Sequence, residues 1–327
     1  MSTKKPVKLF YYLKGYAKLL MPAAIFKLRR NRIISSAQKR DDYDYIINRV
    51  NYYNKLTIPT SLPIEDVKKR EKTFFNFLGK IKEYTIKTFH SAYFFDLNDV
   101  MLFFDKNKRI CYQPGDVYHT PSIPAFVKSR LISDNNNNSV VLKLDKHRHF
   151  MFINDPVNLT DKKNKAIFRG KIRYSRQRER FMQMYFGSDI CNCGIVENSP
   201  DYPQEWITPK ITLREHLDYK FIIALEGNDV ASNLKWVMSS NSIAVMPRPT
   251  CETWFMEGTL IPDYHYISIN DDMSDLEEKL NYYINNPDKA QEIINHAHEY
   301  IAQFQDSKRE EIIQIMVADK YFKYTEQ

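Results

Sequence analysis

The apolar positions of this chain fall into two regimes. From Asp41 to Leu56 ("DDYDYIINRVNYYNKL"), Ile46, Val50 and Tyr53 recur at the spacing of one helix face. Nearer the start, Leu9, Leu13, Tyr16 and Leu20 do the same, with Lys14 and Lys18 on another face. Ser61 to Lys87 is charged and reads as broadly helical, two short helices divided near Gly79. From His90 the pattern breaks into short apolar pieces ("AYFFDL", "VMLFF", "RICYQ") with turn residues between them. Residues 114–124 ("PGDVYHTPSIP") hold three prolines and a glycine and read as a loop, as does "DNNNN" at 134–138, and "SVVLKL" after it reads as a strand.

The second regime is more regular. "KAIFRG" predicts a strand ending at Gly170, "RYSRQRERFMQMYFG" a basic helix stopped at Gly187, "YKFIIAL" a strand, "VASNLKWVMSS" a helix and "SIAVM" another strand. Ser274 and Glu277 stand at capping-box spacing before a helix ending near Asn285, and Asn286 caps a further helix that begins with Pro287. Alternating strands and helices imply a parallel sheet with helices on its faces. The order predicts a basic arm and helix over 1–60, an α/β domain over 61–160, a second over 161–305, and a C-terminal helix over 306–327.

Candidate chemistry gathers where strands end. The chain has eight glycines, and one of them, Gly227 in "LEGNDVASNLKW", follows a strand and precedes a helix. Such a turn lies at the carboxyl edge of an open α/β sheet, where ligands bind, and the helix after it offers unpaired N–H groups to a phosphate. A plain glycine turn with a good N-cap has the same sequence. "FRGKIRYSRQRER" places Arg169 before Gly170 at a strand end, with Arg173 beyond, a position from which a guanidinium can fork onto a diphosphate. The later arginines of the helix are assigned to solvent. Asp116, in the loop after "RICYQ", can act as a general base, and Glu252, past the strand 242–246, can accept hydrogen bonds from a ribose or cap a short helix. Phosphate-loop and dinucleotide glycine patterns are absent.

Composition and charge narrow the classes. At 327 residues, 43% hydrophobic and 27% charged, the chain buries a sizeable core, and its longest apolar run near the start, Leu19–Phe26, is too short to span a bilayer and is broken by Pro22. No signal-peptide pattern is visible. The formal charge is +8, but the first forty residues carry eleven Lys and Arg and no acid, leaving the rest at −3. Basicity therefore belongs to the arm, whose apolar stripe either packs on the body or meets an anionic lipid surface. No nucleic-acid motif accompanies it. Cys111, Cys191, Cys193 and Cys251 form no disulfide framework and read as inert thiols of a reducing cytoplasm. The H-x-H pairs at 147/149 and 296/298 lack a third ligand, and "DYD" at 42–44 lies on a predicted helix, so no metal site is expected.

Taken together, "FRG", "EHLDYKFIIALEGNDVASNLKWVMSSNSIAVMPRPTCETWFMEG" and "LIPDYHYISINDDMSDLEEKL" resemble glycosyltransferase family 90, over about Asp96 to Phe304. "VKSRLI" and "NNNSVVLKLDKHRHF" resemble its bacterial lipopolysaccharide-core branch. The family also holds Rumi-type protein O-glucosyltransferases and capsule-associated xylosyltransferases. The resemblance implies a GT-B-like fold: two Rossmann-like α/β domains facing across a cleft, acceptor-side before donor-side, behind the basic arm. It implies inverting transfer of a hexose, glucose or galactose, from a UDP-sugar to an inner-core sugar, without metal or other cofactor. It assigns the base to Asp116 and donor binding to Arg169, Gly170, Arg173, Gly227, Asn228, Ser232, Asn233, Lys235 and Glu252. Rumi-type members carry arginine where this chain has Asn233, which passes diphosphate neutralisation to Arg173 or Lys235. The partners implied are the UDP-sugar, a lipid-linked oligosaccharide acceptor and the inner face of the cell membrane, met peripherally from the cytoplasm through the arm. The alternatives are a capsule-polymer or protein acceptor, or a non-catalytic nucleotide- or lipid-binding protein.

Overall fold

A computed structural model describes residues 8–63, 77–85, 92–173 and 175–325. The chain forms two compact units. One takes the residues up to His149 together with Cys251–Phe255 and everything from Phe304 onward; the other takes Phe150–Thr250 and Met256–Gln303.

The first unit begins with helices α1 (Lys8–Leu19), α2 (Ala23–Ala37) and α3 (Tyr43–Tyr53). Strand β1 (Phe77–Lys80), helix α4 (Ala92–Met101), strands β2 (Arg109–Gln113), β3 (Ala125–Val127), β4 (Ser129–Leu131) and β5 (Ser139–Val141), and the short α5 (Lys146–His149) follow. The sheet order is β1-β2-β3-β5, with β1 antiparallel and the others parallel. Two predictions change here. "AYFFDLNDVM" is one helix, α4, because Phe94, Phe95, Leu97, Val100 and Met101 bury at helical spacing. Gly79 divides no helices but sits inside β1, where a Cβ would meet the Glu83 carboxylate at 2.7 Å. The helical reading of 64–76 and 86–87 lies outside the described residues.

In the arm, α1 docks on α4 with an unexpected face. Tyr11 donates to Asp96 Oδ1 at 2.8 Å and to the Ala92 carbonyl at 3.0 Å, Lys18 pairs with Asp99 at 2.8 Å, and Gly15 lies so close to the Phe95 ring that a Cβ would stand 2.3 Å from it. Leu13, Tyr16 and Leu20, half of the predicted stripe and more, stay exposed, and the Leu9 side chain lies outside the described set. α2 buries Phe26 and Ala37 and pairs Arg29 with Glu311 at 2.6 Å.

The second unit is a five-stranded, fully parallel sheet in the order β11-β9-β8-β6-β7. In chain order it holds β6 (Lys163–Gly170), α6 (Arg176–Tyr185), β7 (Cys191–Ile195), α7 (Leu213–His216), β8 (Tyr219–Ile223), α8 (Leu234–Met238) and β9 (Ile243–Met246). The chain then crosses to the first unit for β10 (Cys251–Thr253), which pairs with β4, and returns for β11 (Ile267–Ser268), α9 (Leu276–Asn285) and α10 (Pro287–Ala302). α11 (Ser307–Tyr324) ends the chain in the first unit, beside α2 and α3. Phe168, Phe221, Ile223 and Val245 meet Phe181, Leu280 and Ile293 in one core, while Ile167, Ile222 and Ala244 are also buried. Burial on both faces is why these strands read as unbroken apolar runs. The predicted helix 230–240 shortens to the five residues of α8. The capping box before α9 does not form: Asp275 takes the N-cap, and Ser274 Oγ donates instead to Asp272 at 2.7 Å. α10 starts as predicted, with Asn286 at its N-cap and Pro287 first. No described helix is long and apolar enough to cross a membrane.

Candidate active site

The strand order fixes where this sheet can hold a ligand. β7 lies on one side of β6 and β8 on the other, so the connections leaving β6 and β8 part company, and their carboxyl ends bound a switch point. Around it stand the loop after β6, with Lys171 to Arg173 and Ser175, and the loop after β8, with Leu225 to Asp229.

Arg178 fills the gap between these loops. Its Nη1 donates to the Lys171 carbonyl at 2.9 Å, and its Nε and Nη2 donate to the Leu225 carbonyl at 3.2 and 2.7 Å. Burial pushes its pKa down, against the pull of Asp229, Glu197 and Glu226. Gly227 lies close against it: a Cβ there would stand 3.2 Å from Arg178 Nη2, and the guanidinium would have to give by a few tenths of an ångström. The glycine eases this approach and has no left-handed backbone, which among the glycines only Gly115 and Gly187 adopt. Ser175 Oγ donates to the Glu226 carbonyl at 3.1 Å, and the Glu226 carboxylate accepts from Thr250 N at 3.0 Å and Thr250 Oγ1 at 2.6 Å. Sequence reasoning sent Arg178 to solvent, yet it shares a helical stripe with Phe181, Met182 and Tyr185, the buried residues of α6. That i, i+3, i+4, i+7 spacing was the available signal.

The other donor candidates divide. Arg169 stands at the end of β6, next to Gly170, but its guanidinium turns back along β7. It donates to the Asn192 carbonyl at 2.8 Å, Asn192 Oδ1 at 2.6 Å and its neighbour's carbonyl at Phe168, and burial lowers its pKa. All its acceptors are neutral, so its charge stays uncompensated by a carboxylate. Arg173 is exposed, its backbone N–H held by Glu197 at 2.9 Å. Asn228 and Ser232 are exposed on the loop. Asn233 ties that loop to β8 through the Ile223 carbonyl at 3.0 Å. Lys235 points inward, fully buried and ion-paired with the buried Glu257. A cavity of about 490 Å³ lies by the amino ends of β6, β7 and β8, lined by Lys163, Asn192, Cys193 and Tyr219 among others. Cys191 and Cys193 stand there 3.1 Å apart, and burial pushes the Cys191 thiol up; all four cysteines are free and buried.

In the first unit, Asp116 sits in the loop after β2, just past Gly115, whose φ of +91° makes the turn. Lys128, 1% exposed, donates to Asp116 Oδ1 at 2.6 Å, while the carboxylate is 32% exposed. One oxygen is held and charged against a buried ammonium, and the carboxylate still reaches solvent. Tyr93 lies in the same field: its phenol is pushed up to about 12, first by burial, with Asp145 and Asp116 adding and Lys128 opposing. Glu252 caps no helix: it sits in β10, 2% exposed, accepting from Arg130 at 2.7 Å and from Tyr52. Among the described residues no three His, Cys, Asp or Glu side chains converge as a metal site.

Comparison with known proteins places this geometry. Residues 143–321 match the model of the family described as Glycosyl transferase family 90. The chain is similar to "O-glucosyltransferase LpsA" of Dichelobacter nodosus, 37% identical over 332 aligned residues that cover 97% of this chain and 95% of that protein. A match to the family over more than half the chain, with a relative this similar end to end, makes the assignment: the chain belongs to glycosyl transferase family 90 and is a glycosyltransferase.

Proposed function

We propose that the protein transfers a glucosyl group, with inversion, from UDP-glucose to an inner-core sugar of lipopolysaccharide or lipooligosaccharide. The observation that carries the donor half is Arg178 at the switch point, close against Gly227, its guanidinium hydrogen-bonded only to carbonyls. Glucose, rather than galactose, is supported by the relative's name. In this reading the acceptor hydroxyl attacks the anomeric carbon, its proton passes to Asp116, and the bond to the UDP oxygen breaks on the opposite face. Lys128, donating to Asp116 Oδ1, orients the carboxylate for that step. Arg178, with Arg169 and Arg173, compensates the charge that grows on the leaving diphosphate, work that a metal ion would otherwise do. The acceptor is lipid-linked, and the basic arm holds the enzyme at the inner face of the cell membrane.

The test is UDP release by the purified protein with single UDP-sugars and truncated lipooligosaccharide, with and without chelator. Acceptor-dependent release from UDP-glucose, indifferent to chelator, is expected. Release only with a capsule polymer or a protein acceptor would reassign the acceptor. Thermal stabilisation by UDP without turnover on any acceptor would favour a non-catalytic nucleotide-binding protein.

A further inference from the structure

Of the fifteen large hydrophobic residues exposed among the described residues, eight lie between Phe10 and Leu28. That concentration is a patch, not scatter. It arises because both helices of the arm spend their polar or small residues on the body. α1 touches α4 through Tyr11, Gly15 and Lys18. At about 100° per residue, Phe10 and Leu13 fall on the side opposite Gly15. They are 75% and 55% exposed, and Leu20, at the turn into α2, is 88% exposed. α2 turns Phe26, Arg30 and Ala37 inward and leaves Ile25 and Leu28 outside. Lys14, Lys27, Arg32 and Lys39 are exposed around these apolar residues, in no ion pair with a described carboxylate. No acid interrupts residues 8–40.

We infer that the outer face of α1 and α2 is an interfacial membrane dock, with the Leu20–Met21 turn as its deepest point and α4 and α11 holding the two helices by their inner faces. The charge identifies the occupant. A second copy would set this cationic face against its own likeness. A nucleic acid would answer the lysines but not the protruding leucines. An anionic bilayer takes both, headgroups for the cations and the acyl boundary for the apolar residues. The inference deepens the membrane part of the proposed function and rests on that reading only for its purpose, since lipid binding needs neither donor nor acceptor.

The experiment is flotation of the full chain with vesicles of phosphatidylcholine, alone or mixed with phosphatidylglycerol. Binding is expected with phosphatidylglycerol and at least tenfold weaker without it, each basic residue contributing about fivefold. The double variant Leu13→Glu/Leu20→Glu should lose binding at least tenfold with an unchanged melting temperature, because both side chains are exposed. No binding to the anionic vesicles, or equal binding by the variant, overturns the inference. So does a wild-type dimer that the variant converts to monomer, which would give the face to a second copy. A failed UDP-release assay would leave these outcomes as they are.

Discussion

Glu252→Gln separates a structural carboxylate from a ligand-binding one. Glu252 is 2% exposed and Arg130 is fully enclosed, and the two meet at 2.7 Å. Removing one charge of a buried pair costs about 3–5 kcal/mol, because the other is left without compensation. Here the loss is smaller. Arg130 keeps the carbonyls of Tyr52 at 2.8 Å, Ser139 at 3.3 Å and Tyr53 at 3.4 Å, and glutamine still accepts one hydrogen bond. A destabilisation of about 2–4 kcal/mol follows. For a unit of this size that lowers the melting temperature by about 4–16 °C.

The same variant should bind UDP as tightly as the wild type. Had Glu252 held the ribose, loss of a charged hydrogen bond would weaken UDP about 10- to 150-fold and leave the melting temperature alone. Thermal unfolding and a UDP titration on one protein preparation decide between them. A variant that melts normally but loses UDP refutes the structural reading. The companion Arg130→Met/Glu252→Gln should recover part of the lost stability, since no buried cation remains to be compensated.

Arg178→Ala should weaken UDP about 10-fold or more by isothermal titration, with only a small loss of stability, as its partners are two loop carbonyls. Asp116→Asn should lower transfer about 10²- to 10⁴-fold in the UDP-release assay while UDP affinity holds. The acid limb of stability has its own signature at Asp42, held down to about 2 from an ordinary 3.8 by the Arg40 hydrogen bond at 2.6 Å, with Arg309 assisting. A carboxylate with a depressed folded pKa stabilises above its unfolded value and loses that contribution as pH falls toward the folded one. Asp42→Asn should therefore melt lower than the wild type near neutral pH, and the gap should close between pH 3.8 and about 2. A gap that persists at pH 2 would mean that packing, not charge, is the cause.

What the sequence disclosed follows from how far each signal reaches along the chain. The second unit was legible because strand and helix periods are local, and "KAIFRG", "YKFIIAL" and "SIAVM" became β6, β8 and β9 of one parallel sheet. The first unit was less so. β3, β4 and β5 have three residues each, too short to show a period, and β4 finds its partner, β10, some 120 residues later. The burial of Glu252 was hidden for that reason: it depends on Arg130, which no local window contains. The Lys235 pair was hidden likewise, because its partner Glu257 lies beyond β9 and the crossing to the first unit. Arg178 was recoverable, since its place on the α6 stripe was written in neighbouring residues.

The charges sort by a single physical criterion, whether a cation's or a carboxylate's partners leave its field available. Arg130, Lys235, Glu252 and Glu257 are buried in opposite-charge pairs, so their fields cancel within a few ångströms. Asp116 differs: one oxygen is committed to Lys128 and the carboxylate still reaches solvent. A group that must hold a diphosphate or take a proton needs a fixed position and uncancelled charge. Arg169 at the end of β6 and Arg178 on the inner stripe of α6 are fixed by carbonyls alone, Asp116 keeps part of its carboxylate open to solvent, and Arg130, Lys235, Glu252 and Glu257 are spent on buried opposite charges.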